Sequence, residues 1–141
     1  MREADMARID EVCVGDELPT TEHTPNMLDL FFYNAAIWNG HRIHYDEPYA
    51  TKVEGHPGVV VQGPLQGDWM SQCVMAWLGE DGMLAEFEYK NRGSAILGET
   101  LTVGGTVTQV DSASGEVVIE LFVRNAKGDV LAPGAARVKL G

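Results

Sequence analysis

The residues from Pro64 to Leu78 limit the possible folds more than any other stretch of this chain. Leu65, Trp69, Cys73 and Trp77 recur every four residues, and Met70 and Val74 widen the stripe until few charges remain between Leu65 and Leu78. A helix that is apolar on most of its circumference must be covered nearly all round. The chain beyond this helix reads entirely as strand. Met83, Ala85, Phe87 and Tyr89 alternate with Leu84, Glu86, Glu88 and Lys90, and Leu101, Val103 and Val107 alternate with Thr100, Thr102, Thr106 and Thr108. Val117, Ile119, Leu121 and Val123 continue the alternation after a Ser112-Ala113-Ser114-Gly115 turn. Residues 125–129 turn the chain into a last strand that ends Arg137-Val138-Lys139-Leu140. Period-two patterning with hairpin turns predicts an antiparallel sheet with one packed face. One buried helix followed by a long meander predicts a sheet wrapped around that helix, an α+β architecture.

The segments ahead of the helix are shorter. Val14-Gly15-Asp16-Glu17-Leu18-Pro19 reads as a turn into an extended segment from Leu18 to His23. Thr24-Pro25 carries a capping hydroxyl followed by proline at the first helical position, and Leu28, Phe31, Phe32 and Ala35 recur at helical spacing. This predicts a helix from about Pro25 to Ala36 that ends near Trp38-Asn39-Gly40. A weaker helix is expected after Asp46-Glu47-Pro48, with Tyr49 and Ala50 inside it. Gly58 to Gln62 reads as an apolar, strand-like segment. Pro64 then suits the first turn of the apolar helix and Gly79 its C-terminal cap.

At 141 residues the chain is long enough for one domain with a real core, here 14–141, preceded by a loosely held lead-in over 1–13. Met1-Arg2-Glu3-Ala4-Asp5 carries acids and reads as no secretory signal. A net charge of −11 argues against a nucleic-acid or membrane-surface partner, because phosphate neutralisation requires a basic face. Cys13 and Cys73 sit in unrelated contexts and are expected as reduced thiols of a cytoplasmic protein.

Chemistry concentrates in Asn39-Gly40-His41-Arg42-Ile43-His44-Tyr45-Asp46 and in Gln62-Gly63-Pro64-Leu65. Hydrating a conjugated thioester requires a base to activate water, an acid for the α-carbon and a donor for the enolate-like oxygen. His44 is the natural base, since imidazole titrates near working pH. At the helix start the Gly63 N–H can donate, whereas Pro64 has none. A plainer reading makes His44 a turn histidine satisfied by backbone or carboxylate, and Gly63 a tight strand-to-helix turn. His41, His44 and Asp46 offer no visible closed ligand set, so no metal is expected. Trp69 and Trp77 are taken as core, and Asp68 as a residue near the helix N-terminus.

At these residues the sequence resembles the MaoC-like hydratase/dehydratase family of the hot-dog fold. It is most similar to the branch of mesaconyl-CoA-type hydratases and mitochondrial-type 3-hydroxyacyl-thioester dehydratases. The resemblance runs from about Leu18 to Leu140. It rests on the Asn39–Asp46 block, Tyr49-Ala50, Glu54-Gly55-His56-Pro57-Gly58 and Gln62-Gly63-Pro64-Leu65. It implies an antiparallel hot-dog sheet around a long central helix, with His44 on the catalytic histidine and Gly63 on the glycine that holds the thioester oxygen. Asn39 falls on the family's catalytic aspartate. An asparagine can orient water through its carbonyl but cannot carry a proton, which leaves His44 as principal base and shuttle.

The resemblance further implies that Gln62, at a position where many relatives have histidine, lies at the substrate. Asp46 would orient the loop, and Lys90, Arg92 and Arg42 are the cations open to an anionic ligand; the strand end Lys90-Asn91-Arg92-Gly93 would either meet the phosphates of coenzyme A or stand as a solvated strand end. The implied reaction is reversible hydration of a 2-enoyl thioester to a 3-hydroxyacyl thioester of R configuration. Coenzyme A or a carrier protein enters only as part of the substrate. The implied assembly is a homodimer or larger oligomer, or a heteromer with a second hot-dog chain. Two rival readings are a hot-dog thioesterase using Asp68 or a water near Gly63, and a non-catalytic partner subunit.

Overall fold

Period-two alternation over the C-terminal half becomes three long strands, β3 (Leu101–Asp111), β4 (Glu116–Arg124) and β5 (Val130–Lys139), numbered after β1 (Thr21–His23) and β2 (Met83–Tyr89). In the computed structural model, which describes residues 6–141, these form one antiparallel sheet in the order β1-β3-β4-β5-β2. Register shifts at Val107/Gln109, Leu84/Glu86 and Val123/Arg124 mark the irregularities that bend and twist strands. Helix α2 (Gly63–Leu78) lies in the concavity. Met70 and Val74 are 0% exposed and pack in one cluster with Val103, Val117, Ile119, Leu121 and Val138. This is the hot-dog fold, an α+β sheet curled around a central helix. Gly134 of β5 permits the close approach, since a Cβ there would stand 3.1 Å from the Met70 sulfur.

Several boundaries differ from the sequence expectation. Helix α1 spans Met27–Ile37, with Asn26 rather than Thr24 as its cap. Asn26 Oδ1 accepts the Asp29 N–H at 2.9 Å and Asp29 Oδ2 accepts the Asn26 N–H at 2.9 Å, a reciprocal box that outcompetes a lone hydroxyl. Thr24 instead pairs its hydroxyl with that of Thr100 at 2.8 Å. Removing this cap with Asn26→Ala is expected to lower stability by about 1 kcal/mol, read as a lower urea midpoint with an unchanged m-value.

The stripe Leu28, Phe31 and Phe32 faces outward, at 59%, 56% and 61% exposure, and the inward face is Leu30 with Asn34. Both sets satisfy helical spacing, and the inward set contains a polar residue that an apolar pattern overlooks. The weaker helix is a single wide turn, Tyr49–Val53. Residues 58–62 are extended but form no strand of the sheet: Val60 makes one isolated bridge to Ile96, Val61 N–H donates to Ala95 at 2.8 Å, and Leu97 N–H donates to Val59 at 2.8 Å. The lead-in from residue 6 is tied down, with Ala7 N–H on the Trp77 carbonyl at 3.0 Å and Ile9 and Val12 against the core. Residues 1–5, where the sequence reads no secretory signal, lie outside the described residues. Among the described residues no helix is long and apolar enough to cross a membrane.

Candidate active site

The loop after α1 is shaped by its own polar groups. The N–H groups of Trp38 and Asn39 both donate to the Asn34 carbonyl, and Trp38 takes the left-handed conformation at φ 57°. The Asn39 side chain then turns the chain, its Oδ1 accepting the His41 N–H at 3.0 Å. Residues Arg42–His44 make one 3₁₀ turn. Arg42 binds Asp46 Oδ2 through Nε at 3.1 Å and Nη2 at 2.8 Å, and lies 4.3 Å over the Tyr49 ring. Asp46 Oδ1 accepts the Tyr49 N–H at 3.2 Å, so this carboxylate caps the next turn. The Arg42 guanidinium holds the Asp46 carboxyl below the usual carboxylate range.

His44 is only 7% exposed, and its Nδ1 lies 2.7 Å from the Val60 carbonyl oxygen. A carbonyl can only accept, so Nδ1 carries the proton and Nε2 keeps its lone pair. Burial pushes the ring below its ordinary 6.5, which leaves His44 a neutral base at pH 7. Val60 N–H in turn donates to the Ile43 carbonyl at 2.8 Å. This pair of bonds clips the His44 turn to the extended segment that becomes α2 three residues later, at Gly63.

Gly63 stands at the start of α2 with Pro64 next, at the positive end of the helix dipole. The direction a Cβ on Gly63 would take is filled by the Asn91 side chain. Lys90 and Arg92 flank Asn91 on an exposed bend, their backbone N–H groups held by the Pro133 and Leu131 carbonyls at 2.9 Å each. The contact of Asn91 with Gly63 had no signature in the sequence.

Two residues expected at the substrate are committed within the fold. Gln62 is 0% exposed and its Nε2 donates to the Leu30 carbonyl at 2.7 Å and to Asn34 Oδ1 at 2.8 Å, joining α2 to α1. Arg42 is taken up by Asp46 and Tyr49. Asp68 is also engaged, accepting the Tyr33 hydroxyl at 2.7 Å, while burial, with this carboxylate beside it, pushes the Tyr33 phenol up. Around Asn39 opens an apolar pocket of about 500 Å³, lined by Phe31, Ala35, Trp38 and Tyr45 with Asn34 and Gly40. Glu54 also reaches the loop: His41 Nε2 lies 3.0 Å from its Oε1.

The family model for hydroxyacyl-thioester dehydratase type 2 matches residues 7–97, which hold β1, both helices, the His44 loop and β2. The chain is 61% identical over 41 residues to mesaconyl-C(4)-CoA hydratase of Chloroflexus aurantiacus, a span covering 29% of this chain and 15% of that protein. It is 26% identical over 94 residues to the mitochondrial hydroxyacyl-thioester dehydratase type 2 of Saccharomyces cerevisiae, covering 67% of this chain and 32% of the yeast protein. Each match therefore spans a third or less of the curated relative's length. Among solved structures, a MaoC-like dehydratase superposes with a TM-score of 0.88 at 24% identity, over 97% of this chain and 43% of that one. The chain belongs to the hydroxyacyl-thioester dehydratase type 2 family and has the hot-dog fold.

Proposed function

We propose that the protein catalyses reversible hydration of a 2-enoyl thioester to the R-3-hydroxyacyl thioester. One observation carries this reading: the Nδ1–H bond from His44 to Val60 fixes a neutral imidazole with Nε2 free, on the segment that runs into Gly63. In the hydration direction Nε2 takes a proton from water as its oxygen attacks the β-carbon. The charge that develops on the thioester oxygen falls to the Gly63 N–H at the α2 terminus. The apolar pocket beside Asn39 suits the acyl chain. Lys90 and Arg92, flanking the Asn91 contact with Gly63, suit the phosphates of coenzyme A or of a carrier's prosthetic arm. The reaction chemistry in the names of the two curated relatives supports the same reading. No cofactor beyond the substrate's own thiol arm is assigned.

The thioesterase reading is weaker, because the Asp68 carboxylate is occupied by Tyr33. A partnered form has an observation in its favour. Asn39 cannot relay a proton and its carbonyl is spent on His41, so a second hot-dog chain could complete the site. We assign the working unit as a dimer or larger assembly, joined through β2, an edge strand of the sheet among the described residues. We place it in the cytoplasm, where the free thiols Cys13 and Cys73 are stable. Purified protein should bleach the enoyl absorbance of crotonyl-CoA or a longer enoyl-CoA without releasing thiol. Thiol release instead would favour hydrolysis. Activity that arises only on mixing with a second hot-dog chain would favour the partnered form, and silence under all these conditions defeats the proposal.

A further inference from the structure

His44 leaves the reaction proposed above one group short. Hydration removes a proton from water and places a proton on the α-carbon, and a neutral imidazole begins able to do only the first. Asn39 has no proton to give, and its Oδ1 already accepts the His41 N–H at 3.0 Å. Of the two titratable rings near His44, those of His41 and His56, the one in ring contact is His41, edge-on at 5.7 Å between centroids with the planes at 80°. Its side chain is 46% exposed and so open to a ligand.

His41 is held from behind. Its Nε2 lies 3.0 Å from Glu54 Oε1, His56 Nε2 stands 3.6 Å from Glu54 Oε2, and the Tyr49 hydroxyl faces the same carboxylate. His41 first, and then Tyr49, hold the Glu54 carboxyl below its ordinary range, so it is an anion across the working range. Nearby Arg42 and Asp46 neutralise each other. With Nε2 turned to this carboxylate, Nδ1 is the ring nitrogen of His41 left to exchange a proton.

The geometry points to His41 as the second proton-transfer residue of this site, with Glu54 as its positioning residue, an inference that rests on the hydratase reading. His44 Nε2 accepts a proton from water as the oxygen–β-carbon bond forms and the C=C pair moves to the thioester oxygen. The enolate pair then returns, and the α-carbon takes a proton from His41 Nδ1, which leaves that ring neutral. The proton held by His44 passes to His41 by way of water, restoring both rings, so the net change is addition of one water. Dehydration runs the same steps backwards.

The test uses the whole chain with crotonyl-CoA. His41→Ala should lower kcat by about 100-fold with little change in KM, and added imidazole should restore part of the loss. Glu54→Gln should lower kcat less, and Glu54→Asp should retain most activity. Wild-type kcat in His41→Ala, or a folded variant that imidazole does not rescue, overturns the assignment. If the wild-type chain hydrates no enoyl thioester, alone or mixed with a second hot-dog chain, the hydratase reading fails, and nitrogen-15 NMR of the rings tests the pair by itself. A proton on His41 Nε2 that redistributes in Glu54→Gln supports a carboxylate-held imidazole, and ring signals indifferent to that substitution overturn it.

Discussion

Replacing His44 by alanine is expected to lower kcat for enoyl-thioester hydration by about 10²- to 10⁴-fold, the range for loss of a positioned general base. The wild-type pH profile identifies the group before any substitution is made. Burial depresses the His44 pKa below 6.5, so the base is lost only as pH falls beneath the ordinary histidine range, and the acid limb of kcat/KM should lie there. The stability effect has a definite sign. Between the folded and unfolded pKa values the unfolded chain binds more protons, so stability rises with pH through that window and is lost as pH falls from about 6.5. His44→Ala should flatten this dependence. It also leaves the buried Val60 carbonyl without its 2.7 Å donor, at a cost of about 1–3 kcal/mol. Circular dichroism must therefore accompany the rate. A folded His44→Ala protein that hydrates at the wild-type rate removes the residue from the mechanism.

The parts of this fold that were legible in the sequence are those where one pattern had one structural outcome. Leu65 to Leu78 could only be a helix covered on most sides, and the alternation after Met83 could only be a sheet to cover it. Where two outcomes shared a pattern, the reading failed. Thr24-Pro25 and Asn26 with Asp29 are both good helix starts, and a reciprocal pair of hydrogen bonds decided for the second. Leu28/Phe31/Phe32 and Leu30/Asn34 both fit one helical face. The decision came from Gln62, 28 residues beyond Asn34, whose buried amide needs a partner.

The site divides in the same way. His44 and Gly63 were visible as chemical types in suitable local structure. The Val60 carbonyl that sets the His44 tautomer, the Asn91 side chain over Gly63 and the Glu54 carboxylate behind His41 are long-range contacts that no local spacing encodes. Arg42 is paired within its own turn. A cation four residues from a carboxylate on a tight turn is a lock for that turn before it is a ligand.

Gly63→Ala tests the other half of the chemistry, and its expected loss is about 10²- to 10³-fold in kcat, comparable to removal of an oxyanion donor. The N–H survives this substitution, so the effect must come from the space around it. An ideal Cβ on Gly63 would stand 2.6 Å from Asn91 Cγ, closer than real contacts allow, and something must move. Asn91 is exposed and short, so its side chain can swing away at little cost to folding. The new methyl nevertheless remains beside the helix terminus, where the thioester oxygen is proposed to sit. Stability and rate should therefore separate. The single variant should lose little stability but much kcat, and Gly63→Ala with Asn91→Ala should recover the lost stability without recovering the rate. If the double variant regains wild-type turnover, the glycine is present only to accommodate Asn91. The loss in the single variant would then come from the clash with the Asn91 side chain, and the Gly63 N–H, unchanged in both variants, would keep the oxyanion role.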